Sequence, residues 1–377
     1  MFTVKEFIEN NKELLYDIHK ALCLIPSPST MEDARAVYCE ELLKGFGYEE
    51  TYIDSAKNVI CPINCEGSNE ITVVVAHTDT VFPDTEPMPF VEKDGKIFCP
   101  GVGDDTASLA IMLMVAKYFA ETGYKPPKGL LLVCNSCEEG LGNLKGTRTF
   151  MEEYKGRVKQ FLSLDSDIKF ISAVCVGSHR YKVKVSTTGG HSWQAFGNKN
   201  AIAMASEIIG KIYSIELPKI GNYKTSYNVG IISGGTSINT IAQSAEFLCE
   251  YRSESIECLE YMKKGFEDIF NNANEDDVKV DYELIAERPC GTNGVYEKGE
   301  YLIPLCTQTI KKVAGVEVGF RSASTDCNIP LSMGVPAICI GVYYGGGAHT
   351  REEYVIKDSL PLGFEIAVET LGKMLEL

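Results

Sequence analysis

The run Ile71-Thr-Val-Val-Val-Ala-His-Thr-Asp79 sets the architecture. Its first six residues carry no polar alternation, the pattern of a strand buried on both faces, and a histidine and an aspartate follow at once. Three further short apolar runs behave alike. Leu130–Cys134 leads to Glu138-Glu139, Phe161–Leu164 to Asp165, and Pro336–Ile340 to His349 a few residues on. Between the first two runs lies Ala107–Glu121, apolar nearly all round and so expected as a buried helix. Upstream, Lys5–Cys23 reads as a helix with Phe7, Leu14, Leu15 and Ile18 on one face, and Met31–Gly45 as a second, parted by Pro26 and Pro28. Strands alternating with helices predict an α/β fold with a mostly parallel sheet.

The middle of the chain reads differently. A strand (181–187), a helix (199–213), two strands (227–233 and 245–252), a helix (256–272) and a strand (278–286) give the order β-α-β-β-α-β of a small open-faced sandwich. The α/β pattern resumes after Gly294. Residues 180–292 are therefore expected as an inserted domain, and residues 1–179 and 293–377 as the larger one.

Composition narrows the class. The 377 residues carry 36 Lys and Arg against 52 Asp and Glu, a net charge of -16, which argues against nucleic acid or an anionic membrane as a partner. No apolar stretch is long enough to span a bilayer. Met1-Phe-Thr-Val-Lys-Glu has no basic segment before an apolar run, so a cytoplasmic location is expected. The 14 cysteines are then reduced thiols; Cys134 and Cys137 form a C-x-x-C, but inside an apolar run and without a second pair, so packing explains them better than zinc.

The polar groups that follow the four apolar runs carry the chemistry, because ligands of parallel α/β sheets bind beyond the carboxyl ends of strands. Each has an ordinary alternative: His77 as a turn histidine, His349 in Gly345-Gly-Gly-Ala-His as an exposed loop, Asp104-Asp105 as helix caps, the glutamates as solvated acids. His19 reads as a surface residue and His179 as a hinge residue. Together the groups make a sensible donor set. Asp79, two residues on from His77, can accept from one ring nitrogen while the other binds a metal. Asp104 can bridge two cations, His77 with Asp165 on one side and His349 with Glu139 on the other. Mixed imidazole and carboxylate ligation suits zinc first, with manganese or cobalt as alternatives. Glu138 is left over as a general base.

The pieces His77-Thr-Asp79, Gly103-Asp-Asp105, Glu138-Glu139, Asp165, Gly189-Gly-His191, Gly234-Gly-Thr236 through Asn239, Arg252, Ser324-Thr-Asp326 and His349, with Ile25-Pro-Ser-Pro-Ser near the start, resemble the M20 metallopeptidases over essentially the whole chain, and among them the peptidase T-like aminopeptidases. The resemblance implies a di-metal exopeptidase catalytic domain with an inserted lid. It makes His77, Asp104, Glu139, Asp165 and His349 the metal ligands, Asp79 the partner of His77 and Glu138 the base. Asn239, Arg252 and His191 would contact substrate from the lid, through which two copies would pair, His191 serving the partner's site. Members often have Lys and Gly soon after the paired aspartates, where this chain has Thr106 and Ala107; no ligand is lost.

The implied activity is two-metal hydrolysis of amide bonds in small peptides. A deacylase or carboxypeptidase acting on N-acyl amino acids is the alternative, and a non-catalytic binding protein on the same fold a further one.

Overall fold

The computed structural model describes residues 3–291 and 297–376. The chain forms two compact units, Met1–Cys175 with Thr292–Leu377, and Val176–Gly291. The return point expected at residues 292 and 293 lies outside the described residues.

The larger unit is built on an eight-stranded sheet in the order Tyr52–Ile53, Val59–Ile63, Gly129–Asn135, Ile71–His77, Val158–Leu164, Ala337–Ile340, Phe170–Cys175, Gly319–Ala323. The four strands at its centre are those read as apolar runs, and they lie parallel to one another. Every residue of Ile71–His77 and of Gly129–Asn135 is buried, as expected of strands with helices on both faces. Helix Thr106–Thr122 is apolar all round because it packs against both Val4–Leu24 and Ser359–Glu376 as well as the sheet. It ends at Gly123, whose φ of 65° supplies a left-handed cap. Val4–Leu24 starts with a capping box between Thr3 and Glu6.

His19 departs from its expected surface position. It lies four residues after Leu15 and one after Ile18, continuing the buried stripe, and its ring is fully buried. Nε2 lies 2.8 Å from the Val102 carbonyl, while Nδ1 has no partner, so the neutral ring with its proton on Nε2 fits the site. All 14 cysteines are free and buried, Cys134 and Cys137 among them. No helix among the described residues is long and apolar enough to cross a membrane.

The smaller unit is a four-stranded antiparallel sheet in the order Thr225–Gly234, Ser244–Ser253, Gly177–Thr187, Val278–Arg288, with helices Ala201–Ile212 and Ile256–Asn271 packed on it. Alternate residues of Ser244–Ser253 are buried, and Tyr181, Tyr251, Phe266 and Phe270 form an aromatic core. The first strand begins at Gly177, ahead of the expected Tyr181. Ser178 and His179 look too polar for a core strand, yet His179 is buried with Nδ1 2.5 Å from the Tyr251 hydroxyl, so it is a core residue and not a hinge.

Burial depresses the His19 pKa to about 4. As pH falls from about 6.5 toward about 4, the unfolded chain takes up a proton that the folded chain refuses, so stability is lost across that window and is unaffected above it. Between about pH 7.5 and about pH 5 the loss amounts to about 2 kcal/mol. Urea unfolding of the wild type and of His19→Gln, which keeps a donor for Val102, is expected to show a smaller acid loss in the variant by about that amount. Equal losses would remove His19 as the source.

Candidate metal centre

Parallel strand ends assemble the site. His77 is the last residue of its strand, and its backbone N–H donates to Asp105 Oδ2 at 2.9 Å. Its ring Nδ1 is 3.0 Å from the Asp79 carbonyl oxygen and 3.5 Å from the Asp79 carboxylate. The imidazole is thus held chiefly by the backbone of Asp79 and only loosely by its side chain. The carboxylate is engaged on its other side. Oδ1 accepts from Glu138 N at 3.0 Å, and Oδ2 accepts from Glu139 N at 2.9 Å and from Ser29 Oγ at 2.5 Å. Asp79 therefore fixes the glutamate pair as well as the histidine.

Asp104 occupies the middle. One of its oxygens lies 3.1 Å from His77 Nε2 and the other 3.1 Å from His349 Nε2. His349 Nε2 is also 3.0 Å from Glu139 Oε1. Donor atoms sharing a tetrahedral ion at about 2.0–2.1 Å lie roughly 3.3 Å apart, close to these separations. His77, Asp104 and Glu139 offer ligand atoms that all lie within 4.8 Å of one another. Asp165 is outside that tightest group but feels the charges of Asp104, His77 and Glu139 and shares a cavity wall with Asp104. Glu138 is buried beside Glu139.

The electrostatics call for a cation. Burial, then repulsion from Asp104, pushes the Asp165 carboxyl up to about 7, and burial raises Asp105 well above the usual carboxylate range. Hydrogen bonds to Asp104 and Glu139 raise His349 to about 11. Burial opposes charge on His77, yet the hydrogen bonds to Asp104 and Asp79 raise it well above an ordinary histidine. Positive charge is therefore favoured where the two Nε2 atoms meet Asp104. Divalent ions supply it there without protonating a ligand, so the nitrogen and oxygen donors fit a metal pair.

Residues given no role in the sequence reading complete the frame. Glu353 is buried and accepts from Gly101 N at 2.8 Å, Gly103 N at 2.9 Å and Asp104 N at 2.9 Å, clamping the loop that presents Asp104. In sequence it looks like part of a charged surface turn; only its place four residues after His349 could have pointed to it. Burial raises its pKa to about 7. Arg35, also buried, donates to the Thr78 carbonyl at 2.8 Å, Thr106 Oγ1 at 3.3 Å, the Leu22 carbonyl at 2.7 Å and the Ile25 carbonyl at 3.0 Å. It ties the segment after His77 to the helix that follows Asp104-Asp105. Asp326 accepts from Asn135 Nδ2 at 2.7 Å and from Thr147, bracing the segment that leads to Glu138.

The remaining three expected residues belong to the smaller unit. His191 lies in a two-stranded ribbon, pairing with Thr240, Asn239 directly precedes the second strand of that ribbon, and both are exposed. His191 Nδ1 accepts from Trp193 N at 3.2 Å, which leaves Nε2 as the donor of a neutral ring. Arg252 is half-buried and bidentate on Glu250, at 2.7 and 3.0 Å, and Arg180 shares the same carboxylate at 3.0 Å.

Comparison with known proteins identifies the family. The profile of peptidase family M20/M25/M40 matches residues 73–373. A succinyl-diaminopimelate desuccinylase of Corynebacterium glutamicum is 24% identical over 343 residues, covering 87% of this chain and 88% of that one. The crystal structure of a tripeptidase from Staphylococcus aureus superposes with a TM-score of 0.77 at 21% identity, covering 97% and 99% of the two chains. That of the Bacillus subtilis YxeP protein, described as a dinuclear metal-binding peptidase, does so with a TM-score of 0.65 at 14% identity, covering 98% and 99%. With the profile spanning most of the chain, the protein belongs to peptidase family M20/M25/M40, the metal-dependent peptidases.

Proposed function

We propose that the chain is a two-metal aminopeptidase of small peptides, in the manner of a tripeptidase, with zinc as its metal and a cytoplasmic homodimer as its working form. The observation that carries the reading is Asp104, each of whose oxygens faces a different imidazole at 3.1 Å. His77 and Asp165 would hold one ion, His349 and Glu139 the other, and Asp104 both. A divalent pair there supplies Lewis acidity to the scissile carbonyl and to the attacking water.

The chain's own groups do the rest. Glu138, held through its backbone N–H by Asp79, takes the proton of the attacking water on its carboxylate and passes it to the leaving amine. His191 donates from Nε2 to the developing oxyanion. Arg252 offers the remaining Nη edge of its guanidinium to a substrate carboxylate, with Glu250 holding the Nε–Nη2 edge, and Asn239 supplies a polar contact. Hydrolysis of N-acyl amino acids is a second reading, favoured by the sequence likeness to a desuccinylase. A panel of tripeptides with free and with acetylated amino termini separates the two. Cleavage confined to blocked substrates would overturn the aminopeptidase reading.

Geometry within the smaller unit bears on the dimer. Arg252 pairs with Ser178, whereas the ribbon bearing His191 lies beyond Ser244, eight residues along the same strand. At about 3.3 Å per residue that is about 26 Å, while an extended tripeptide spans only about 10 Å. His191 and Arg252 of one chain are thus too far apart to grip one small substrate, which favours His191 acting on a second copy. Mixing inactive His191→Ala with inactive Glu138→Ala subunits is expected to restore activity, because a mixed dimer regains one site with both groups. Subunit exchange without recovery would sink the trans arrangement.

Glu138→Ala is expected to retain both metals while kcat falls about 10²–10⁴-fold. Glu139→Ala instead loses metal from one site, as counted by metal analysis after gel filtration; the reverse pattern would exchange the two roles. Glu353→Gln, which leaves one backbone N–H facing the amide NH2 in place of an accepting oxygen, is expected to weaken metal affinity about 10–100-fold, read by competition with a chromogenic chelator.

A further inference from the structure

A cavity of about 350 Å³ opens beside the metal centre, wholly within the larger unit. Asp104 and Asp165 form one wall; Ser166, Lys169, Phe170 and Arg321 stand in the others. Arg321 sits mid-strand on Gly319–Ala323, at the edge of the sheet, in register with Ser172. Its Nη2 donates to Ser166 Oγ at 2.7 Å, and its guanidinium carbon lies 5.1 Å from the centre of the Phe170 ring. One hydrogen bond and one ring contact hold the guanidinium and leave most of its five N–H donors unspent.

No carboxylate among the described residues pairs with Arg321, although the chain has a net charge of -16. Arg351 has Asp84, and Arg180 and Arg252 have Glu250. Two other acids of the cavity wall are engaged elsewhere. Asp167 accepts from Lys169 N and Gly345 N and lies 3.8 Å from Lys169 Nζ, and Glu353 holds three backbone N–H groups. A fixed, unpaired guanidinium facing a cavity that shares walls with metal ligands is built to receive an anion from a molecule whose other end lies at the metals.

We propose that Arg321, positioned by Ser166 and Phe170, is a carboxylate-recognition subsite, and that the enzyme prefers substrates with a second carboxylate on the group that enters this cavity. This rests on the reading of the metal centre as an amide hydrolase. Two sources share the chemistry: an aspartate or glutamate side chain of a peptide, and the free end of a dicarboxylic acyl group. Both place a carboxylate a few bonds from the scissile carbonyl.

The test compares charged and neutral isosteres. Peptides differing only as Glu against Gln form one panel, and N-succinyl against N-butyryl amino acids the other. The wild type is expected to favour the charged member of one panel by about 10- to 100-fold in kcat/KM. Arg321→Gln brings that ratio near one, Arg321→Lys restores part of it, and Arg321→Glu inverts it. The panel that responds identifies the source. The ratio is the readout, so a general loss of activity is no support. A wild-type ratio near one in both panels, or a ratio untouched by Arg321→Gln, overturns the subsite. A titration of succinate against butyrate by calorimetry decides the matter without turnover: preferential succinate binding that Arg321→Gln abolishes supports it, and equal binding of succinate by wild type and variant overturns it. If no substrate in either panel is cleaved, the amide-hydrolase reading fails, while the calorimetry still decides the subsite.

Discussion

Asp79, Asp104, Asp105, Asp165, Glu138, Glu139, Asp326 and Glu353 crowd one sheet edge where parallel strands end, most of them buried, and their demand for donors governs the chain around them. Isolated buried carboxylates are costly, and removing a partner from a buried ion is more costly still. The surrounding chain is therefore organised as a supply of donors. Asp79 has two backbone N–H groups and Ser29, Glu353 has three backbone N–H groups, and Asp326 has Asn135 and Thr147. The proposed ligands Asp104, Asp165 and Glu139 show no such complement among the described residues, and the donors facing Asp104 and Glu139 are two imidazoles. That contrast separates carboxylates that shape the loops from carboxylates that want a cation.

The same contrast explains what can be read in the sequence. Strands covered on both faces are apolar at nearly every position, so Ile71–His77 and Gly129–Asn135 stand out as apolar runs, and the polar residues that close them fall at the strand ends. Ligand candidates follow from that placement. Supporting residues have no such signature. Glu353 lies in Arg351-Glu-Glu and Arg35 in a helix with other charges, where solvated positions are the ordinary reading. Their burial depends on partners tens or hundreds of residues away: Thr78 for Arg35, and Gly101 through Asp104 for Glu353. His19 is hidden for the same reason, since Val102 supplies its hydrogen bond. The role of Asp79 is half legible. Spacing links it to His77, but only tertiary structure brings the Glu138 and Glu139 N–H groups to its carboxylate.

In the smaller unit the edge strand Thr225–Gly234 exposes Ile231 and Ile232, and the His191 region exposes Trp193, Phe196 and Ile238, the last fully. Single exposed apolar residues are unremarkable, but large ones clustered around a single ribbon favour a second surface upon them. They would give the proposed trans arrangement apolar area at the place where His191 points its donor nitrogen outward. A neutral Nε2–H is useful there only if the ring keeps its tautomer, and the backbone amide of Trp193 on Nδ1 enforces that choice.

Metal binding and specificity thus fall on separable parts of the chain. The proposed ligands, the base and the Arg321 cavity lie within Met1–Cys175 and Thr292–Leu377, and the hydrogen bonds that position them are internal to that unit. Metal affinity should then be set chiefly by the larger unit, to which every named donor of the frame belongs. The proposed oxyanion donor His191 and the proposed carboxylate partner Arg252, by contrast, belong to the smaller unit. Substitutions at His191 and Arg252 can therefore alter transition-state stabilisation without disturbing the ions, whereas substitutions at Asp79, Arg35 or Glu353 act on the frame and reach substrate only through it. Arg321 is the exception within the larger unit. Among the described residues it pairs with none of the proposed ligands and is held by Ser166 and Phe170, so it can tune which substrate is accepted without supplying or removing a metal donor.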